Sequence, residues 1–313
     1  MKKVVSGVLF FVILIVILIF LGFVFSPKYL SKNINIDKKS DVDARLAKEA
    51  DYTLDIIVLG DSLSYSSISP LEWWRDYGYT CYNFGLVGGK LTDVKKAYSS
   101  ILKSQNPKLI LLETNVLYID DSRDNEANNV ISSAINSIFP VTKYHENWKA
   151  PFMDKRSGFY KGFTISHTIA PGENRDYMIP DEEKDEIVSY NIETIQEINE
   201  LCIQNGGILL LYSAPSMKNY NFSRHKALCA LAADMNVEYV DLNLPGDDLK
   251  IDFTTDTRDG GDHLNVYGAI KATGYLGRYI HDNYSLPDRR STDIAPSWNE
   301  LLEKYIKAVN NQK

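Results

Sequence analysis

The sequence predicts an α/β protein built on a parallel sheet, and two patterns along its 313 residues lead to this prediction. Short apolar, β-branched runs recur along the chain, with helical patterns between them. The runs are apolar at almost every position, which is typical of strands that helices cover on both faces. The predicted strands are residues 54–59, 79–83, 109–113, 208–213 and 237–242, and the clearest predicted helices are residues 92–104, 183–205, 223–236 and 265–282.

The N-terminus departs from this pattern. Residues 4–25 are uncharged and almost wholly apolar, and they follow Lys2 and Lys3. The run is long enough to cross a bilayer as a helix. A cleaved secretory signal is the alternative, but the apolar core is longer than such signals need and no small-x-small site follows Phe25. We therefore predict an anchor within residues 1–26, with the two lysines in the cytoplasm and the rest of the chain outside the cell membrane.

The remainder of the chain divides into three predicted parts. Residues 27–53 are polar and charged, which indicates a stalk. A folded domain is predicted at 54–284, and residues 119–180 interrupt its strand–helix alternation with a stretch rich in aromatic and turn residues. That stretch is too long for a simple connection in a compact domain, which favours a functional insertion. Residues 285–313 predict a tail with an amphipathic helix from Ser297 onward.

Composition narrows the class of function. A net charge of −7 and a pI near 5.3 argue against a nucleic-acid partner, because a phosphate-binding face needs a basic excess. Three cysteines, Cys81, Cys202 and Cys229, are too few and too scattered for a disulfide framework or a metal cage. Each lies in a predicted strand or on an apolar helix face, so we interpret them as buried free thiols. No metal or organic cofactor is expected.

Polar residues follow the predicted strands where these end. Ser62 follows the first strand, Gly88 the second and Asn115 the third, and residues 213–216 end the fourth. In parallel sheets of this kind the ligand crevice lies at the carboxyl ends of the strands. We therefore expect these positions to converge on one edge of the sheet.

A serine at that edge needs a base, because its hydroxyl is a poor nucleophile until an oriented base takes the proton. Only His263 has acids and glycines before it and a helix after it, with Asp259 or Asp262 close enough in sequence to orient the imidazole. The alternative for Ser62 is a turn residue that caps the next helix. The histidines interpreted as structural or exposed are His167, His225 and His281.

Acyl chemistry also needs preset donors around the developing oxyanion. The candidates are the backbone N–H of Ser62, the backbone N–H of Gly88 and the side-chain amide of Asn115, which offers two N–H donors. A glycine without a Cβ lets the chain approach the substrate closely. Gly85 and Gly89 compete with Gly88 for this role.

Four separated blocks resemble, in order, those of the SGNH/GDSL hydrolase superfamily: "GDS" at 60–62, "NFGLVGG" at 83–89, "ETN" at 113–115 and "DGGDHLN" at 259–265. The resemblance spans roughly residues 54–281. It implies a flavodoxin-like three-layer α/β/α sandwich with a five-stranded parallel sheet. It also implies that the chain cleaves or transfers acyl esters through a serine acyl-enzyme.

The chain departs from that family at two positions. Glu113 stands where the family usually has glycine in the third block. Gly260 stands three residues before His263, where the family has aspartate, with Asp259 and Asp262 on either side. We favour Asp259 as the orienting acid and treat one glycine of the loop as an insertion. Asp262 is the alternative acid, or a cap of the following helix.

A narrower resemblance concerns the anchor, the outward domain and the segments "YHENW" and "KGF". These are similar to a subgroup of extracytoplasmic SGNH-like proteins that act on cell-envelope polymers, several of which partner with membrane-bound O-acyltransferases. This implies substrate contacts from His145, Trp148 and Lys161, for which simple packing is the other interpretation.

The predicted function is therefore a membrane-anchored extracytoplasmic serine esterase or O-acyltransferase acting on acyl, chiefly acetyl, esters of a cell-envelope glycan. The alternative is a non-catalytic SGNH-like binding or scaffolding module of an envelope-modification complex.

Overall fold

A computed structural model describes residues 2–25, 42–120, 160–173, 176–180, 185–244 and 246–311. Its contacts divide the chain into two units, Met1–Ala50 with Ser122–Ser157, and Asp51–Asp121 with Gly158–Lys313. In the first unit the described elements are helix α1, Lys2–Val24, and the short helix α2, Val42–Leu46. The second unit contains the sheet.

Helix α1 is long and apolar enough to span a membrane over Val5–Val24. Twenty helical residues extend about 30 Å, the thickness of the hydrocarbon layer. Almost all of its described side chains are exposed, unlike those of a core helix. An N-terminal signal sequence passes the same test of length and composition, and the helix by itself does not fix its orientation.

The sheet has five strands, all parallel, in the order β2-β1-β3-β4-β5. This is the flavodoxin-like order, so the predicted five-stranded parallel sheet is confirmed. All side chains of β1, β2 and β3 are buried, as strands covered on both faces require. The strands are β1 Ile56–Leu59, β2 Cys81–Asn83, β3 Leu109–Glu113, β4 Ile208–Ser213 and β5 Glu238–Asp241.

Helices flank the sheet, as predicted for the three-layer sandwich. Right-handed crossovers place α4, between β1 and β2, on one face and α5, α6 and α7 on the other, because the direction in which strands are added reverses after β2. Accordingly α8 packs against α3 and α4, and α5 packs against α6. The helices are α3 Ser62–Ser67, α4 Pro70–Tyr77, α5 Leu91–Ile101, α6 Ser189–Gln204, α7 Phe222–Met235, α8 Val266–Asn283 and α9 Ala295–Asn310.

The start of α6 differs from its prediction, which placed the helix from residue 183. The helix begins at Ser189, and the preceding acidic segment bonds to α7 instead. The backbone N–H of Asp185 donates to Ser223 Oγ at 3.0 Å, and its carboxylate accepts from Arg224 Nε at 2.8 Å. These contacts hold residue 185 outside the helix.

The predicted C-terminal helix packs onto the domain. The Trp298 ring lies 5.1 Å from that of Trp74, and Tyr305 donates to the buried Glu72 at 2.7 Å. Before the helix, Arg289 forms two 2.7 Å hydrogen bonds to the buried carboxylate of Asp55, at the start of β1. The tail is therefore part of the fold of this unit.

One prediction about the cysteines is wrong. Cys81 and Cys202 are buried free thiols, but Cys229 is exposed. The buried face of α7 carries Leu228 and Leu231, and a residue one position from Leu228 is rotated by about 100° around a helix. Cys229 therefore faces outward, with its sulfur 3.7 Å from His225 Nε2.

Two glycines of α8 provide a matched test of how tightly this helix packs. A Cβ on Gly277 would lie 2.4 Å from Trp73 Nε1, whereas a Cβ on Gly274 meets nothing within 4 Å. We expect Gly277→Ala to lower the free energy of unfolding by about 1–3 kcal/mol through overpacking. Gly274→Ala should raise it by up to about 1 kcal/mol, since alanine favours the helix. Denaturant unfolding of the detergent-solubilised chain measures both, and equal effects would contradict the close helix contact.

Candidate active site

A sharp turn at the end of β1 presents Ser62. Gly60 has φ of +146°, a conformation that side-chain-bearing residues rarely adopt. A Cβ at this position would lie 2.7 Å from Glu113 Cβ, so the end of β3 approaches because residue 60 has none. Asp61 caps helix α3 by accepting the Leu63 N–H at 2.8 Å. Because Asp61 is the cap, Ser62 is the first helical residue, and its hydroxyl is not used for capping.

Ser62, His263 and Asp259 form one chain of hydrogen bonds. His263 Nε2 lies 2.8 Å from Ser62 Oγ, and its Nδ1 lies 2.7 Å from Asp259 Oδ2. With Nδ1 protonated toward the carboxylate, Nε2 is free to accept the serine proton. The other carboxylate oxygen of Asp259 accepts the backbone N–H of His263 at 2.7 Å. Asp259 thus holds both the backbone and the ring of the histidine.

Asp262, the second candidate acid, lies farther from the imidazole. Its Oδ1 is 3.5 Å from His263 Nδ1 and accepts a hydrogen bond from the Asn219 side-chain amide. Asn265 caps α8, accepting the Tyr267 N–H at 3.0 Å. The proposed capping by Asp262 is therefore wrong.

In the loop that carries His263, three residues separate the histidine from Asp259, one more than in an Asp-x-x-His pattern. Gly260 and Gly261, with φ of +76° and +90°, take the left-handed turn that this extra residue requires. Asp259, four residues before the histidine, still reaches its ring.

An extended segment within the predicted insertion holds this loop in place. Its backbone forms hydrogen bonds from Ala170 N to Thr257 O at 3.0 Å and from Gly260 N to Ala170 O at 3.0 Å. The Val266 N–H, at the start of α8, donates to Ser166 O at 2.8 Å. The end of the insertion therefore supports the histidine side of the site.

Asn115 lies beside the serine turn. Its Nδ2 donates to Asp61 Oδ2 at 2.7 Å, and its Oδ1 accepts from Arg224 Nη1 at 3.1 Å. Its backbone N–H donates to Glu113 Oε2 at 2.9 Å. The amide has a second N–H on Nδ2, so one donor is left for an oxyanion after the bond to Asp61.

The glycine block also contacts the serine turn, through more than one residue. Leu86 N–H donates to Gly60 O at 2.9 Å, which joins the two segments. Gly88 is exposed with φ of +60°, and its oxyanion role stays a prediction. Gly85 packs most closely, since a Cβ there would lie 2.2 Å from Ser64 Oγ. However, its N–H already donates to Asn83 Oδ1 at 3.0 Å, so Gly85 is the weaker oxyanion candidate.

Of the predicted substrate contacts, His145 and Trp148 lie outside the described residues. Lys161 is described, and its ammonium lies 4.1 Å from the ring centroid of Trp298 on α9. Its carbonyl accepts the Asn83 N–H at 2.9 Å. These contacts favour the packing interpretation for Lys161.

Two buried carboxyl groups lie under the serine turn. Glu113 is 1% exposed, and its two oxygens accept the Asn115 N–H at 2.9 Å and the Ala214 N–H at 3.3 Å. Burial and then the charge of Asp61 hold the pKa of Glu113 well above its usual range. Burial also raises the pKa of Asp61, against the opposing effect of its hydrogen bond from Asn115.

Asp259, Asp262 and His263 also place three potential metal-ligand atoms within 4.8 Å of one another. Both ring nitrogens of His263 are already engaged, one by Asp259 and the other by Ser62. Hydrogen bonds therefore join the three side chains Ser62, His263 and Asp259.

Sequence reasoning did not identify Arg224 and Asn219 as part of this site. Arg224 is 109 positions from Asn115, and Asn219 is 43 positions from Asp262. Neither lies in a block with a family resemblance, so no local signal marks them. Only the sheet topology brings their segment, after β4, to the same edge.

No protein-family model and no curated protein matches the chain. Among solved structures, a GDSL-like lipase from Bacteroides thetaiotaomicron is similar at 10% sequence identity and a TM-score of 0.42, over 79% of this chain and 100% of that chain.

Two further solved structures are similar at 11% identity and a TM-score of 0.38. One is assigned as an acylhydrolase from Bacteroides fragilis, with 72% of this chain and 86% of that chain covered. The other is assigned as an SGNH hydrolase from Slackia heliotrinireducens, with 72% and 98% covered. At such values the likeness carries no information on substrates or residue roles.

The raised pKa of Glu113 predicts a pH dependence of stability. The folded state retains a proton that the unfolded carboxyl releases near its ordinary pKa of about 4.3. The contribution of Glu113 to the free energy of unfolding is therefore at its maximum below the unfolded pKa. It is lost as the pH rises from that value towards the higher pKa of the folded state. The free energy of unfolding should fall less from about pH 4 to pH 7 in Glu113→Gln than in the wild type. Chemical unfolding across that range measures this, and parallel profiles would contradict it.

Proposed function

We propose that the chain is a serine hydrolase or acyltransferase of SGNH type. The observation that carries the proposal is the continuous hydrogen-bonded path from Asp259 through His263 to Ser62. Nucleophilic serine catalysis requires such a path, with the base within reach of the hydroxyl and itself oriented by a third group. A structural serine has no need of an imidazole that an acid holds in one tautomer.

In the proposed mechanism, Ser62 Oγ attacks the carbonyl carbon of an acyl ester while His263 Nε2 takes its proton. Asp259 stabilises the imidazolium that forms. Donors at the strand ends stabilise the negative charge on the carbonyl oxygen: the N–H groups of Ser62 and Gly88 and the Asn115 amide.

Collapse of the tetrahedral intermediate breaks the ester C–O bond, and His263 returns the proton to the leaving alcohol. An acyl-serine remains on Ser62. An acceptor hydroxyl then attacks this acyl group, with His263 again taking the proton. The second tetrahedral intermediate collapses by breaking its bond to Ser62 Oγ, and His263 returns the proton to the serine. Water as acceptor gives an esterase, and a sugar hydroxyl gives an acyltransferase.

The proposed setting is the outer face of a membrane, with esters of a cell-envelope glycan as substrates. Helix α1 supports this, since Lys2 and Lys3 precede an apolar span and positive residues favour the cytoplasmic side. A partner that is a membrane-bound O-acyltransferase fits the same setting. Protease added to intact cells tests the orientation, because digestion is expected only for an external domain.

The alternative function, a non-catalytic binding or scaffolding module, rested on the displaced aspartate of the last block. The contact of Asp259 with His263 weakens that argument, because a carboxylate reaches the imidazole despite the extra glycine. The two functions differ in whether Ser62 can be acylated.

Covalent labelling decides between them. A fluorophosphonate should modify the wild-type chain at Ser62, because the probe requires a serine whose proton a base removes. Ser62→Ala should not be labelled, whereas Ser99→Ala, which changes an exposed serine of α5, should be labelled like the wild type. Gel fluorescence and peptide mass spectrometry give the site. A wild-type chain that stays unlabelled would favour the scaffolding function.

The roles of the two aspartates are separable by kinetics. Asp259→Asn should lower kcat for p-nitrophenyl acetate by about 10⁴ with the fold intact, because the wrong histidine tautomer is then favoured. Asp262→Asn should have a far smaller effect, since its nearest oxygen is 3.5 Å from Nδ1. The opposite ranking would assign the acid role to Asp262, and two small effects would indicate a Ser-His dyad.

We further propose that a sugar hydroxyl, and not water, is the preferred acceptor. A bound acceptor held against the acyl group gains several kcal/mol over a diffusing one. The full chain should hydrolyse p-nitrophenyl acetate slowly, and glycan oligomers should accelerate product release and become acylated. Mass spectrometry of the oligomers detects this. Fast hydrolysis that added glycan does not change would make plain esterase the correct description.

A further inference from the structure

We propose that Arg224 is a positioning residue that sets the orientation of the Asn115 side-chain amide. The inference rests on the proposed function, in which that amide is an oxyanion donor. Arg224 lies on α7, whereas Asn115 lies in the 3₁₀ turn Thr114–Leu117 after β3. None of the four sequence blocks includes Arg224.

The guanidinium of Arg224 is held on several sides. Its Nε donates to Asp185 Oδ2 at 2.8 Å, and its Cζ lies 4.1 Å from the ring centroid of Tyr118. The side chain is only 19% exposed. A guanidinium fixed in this way presents its Nη1 donor in one place, and that donor meets Asn115 Oδ1 at 3.1 Å.

An asparagine amide can rotate by 180° and exchange its oxygen and nitrogen, so its orientation depends on its neighbours. Arg224 offers a donor to one end of the Asn115 amide, and Asp61 offers an acceptor to the other at 2.7 Å. Rotation would place the carbonyl oxygen against a carboxylate and the NH₂ group against a guanidinium. Both contacts would be repulsive, so the two neighbours together permit one orientation.

This orientation matters because an oxyanion site requires a donor that is set before the reaction begins. With Arg224 in place, Nδ2 is on the side of Asp61 and the serine turn, and its second N–H is available. Without Arg224, the amide would spend part of its time with the oxygen on that side. An oxygen there would repel the developing negative charge and slow the acylation step.

The same Nη1 also donates to Asn219 O at 2.7 Å, and the Asn219 side chain bonds to Asp262 beside His263. Arg224 therefore contacts the serine side of the site through Asn115 and the histidine side through Asn219. The test has to separate these two paths, and a double-mutant cycle with Asn115 does so.

The experiment compares Arg224→Met, Asn115→Ala and the double variant, as full chains in detergent, with p-nitrophenyl acetate. Loss of one oxyanion donor typically costs about 10²–10³ in kcat, so we expect this for Asn115→Ala. Arg224→Met should lower kcat by about 10- to 100-fold, a part of that donor effect, with little change in KM. The double variant should be no slower than Asn115→Ala. Arg278→Met, an exposed arginine on α8, controls for the loss of one positive charge and should match the wild type.

A double variant slowed by the product of the two single effects would overturn the inference, because Arg224 would then act independently of Asn115. Thermal unfolding identifies a folding defect in Arg224→Met. In that event Arg224→Lys replaces it, since lysine keeps the charge but lacks the planar guanidinium that Asp185 and Tyr118 hold in place, and the same non-additivity with Asn115→Ala is expected. If the wild-type chain neither cleaves the ester nor reacts with a fluorophosphonate, the proposed function fails first, and the role of Arg224 falls with it.

Discussion

The site depends on the close approach of the carboxyl ends of β1 and β3. The register pairs Leu59 with Leu112, so the next residues, Gly60 and Glu113, meet directly. Only a residue without a Cβ fits there, since one at position 60 would lie 2.7 Å from Glu113 Cβ. The approach brings the Asp61 carboxylate within 2.7 Å of the Asn115 amide, and the serine follows in the next position. One backbone contact thus brings the Ser62 turn and the Asn115 amide together.

His263 lies at the same edge of the sheet, although 201 residues of sequence separate it from Ser62. Its loop has two glycines in left-handed conformation and follows no strand directly, so the sheet alone does not fix it. Backbone hydrogen bonds from this loop and the start of α8 to Ala170 and Ser166 hold the histidine segment in place. The segment around residue 170 therefore serves the site by supporting Asp259 and His263, a role that differs from the substrate contact predicted for the insertion.

The sequence was sufficient to predict the strands and to select Ser62, His263 and Asp259, which hydrogen bonds join in the structure, because apolar runs and strand-end polar residues are local signals. The catalytic roles of these three residues stay a prediction. Helix α3 was not predicted, since "SLSYSS" has few apolar residues and its stability comes from the Asp61 cap and from burial. Whether Cys229 is buried or exposed depends on the register of α7, because neighbouring positions of a helix face directions about 100° apart. Arg224 was missed because its partner, Asn115, is 109 positions away and no local pattern predicts such a contact.

The ion pair between Arg289 and Asp55 has a consequence for the order of folding. Its partners are 234 residues apart, and Asp55, which opens β1, is almost fully buried. Contacts of such long range form slowly, because the intervening chain must first be ordered. Until Arg289 arrives, the carboxylate next to the first strand lacks its cation, which disfavours complete burial even with the hydrogen bond from Thr80. Closure of the domain around β1 is accordingly expected late, after β3, β4 and β5 have paired with one another.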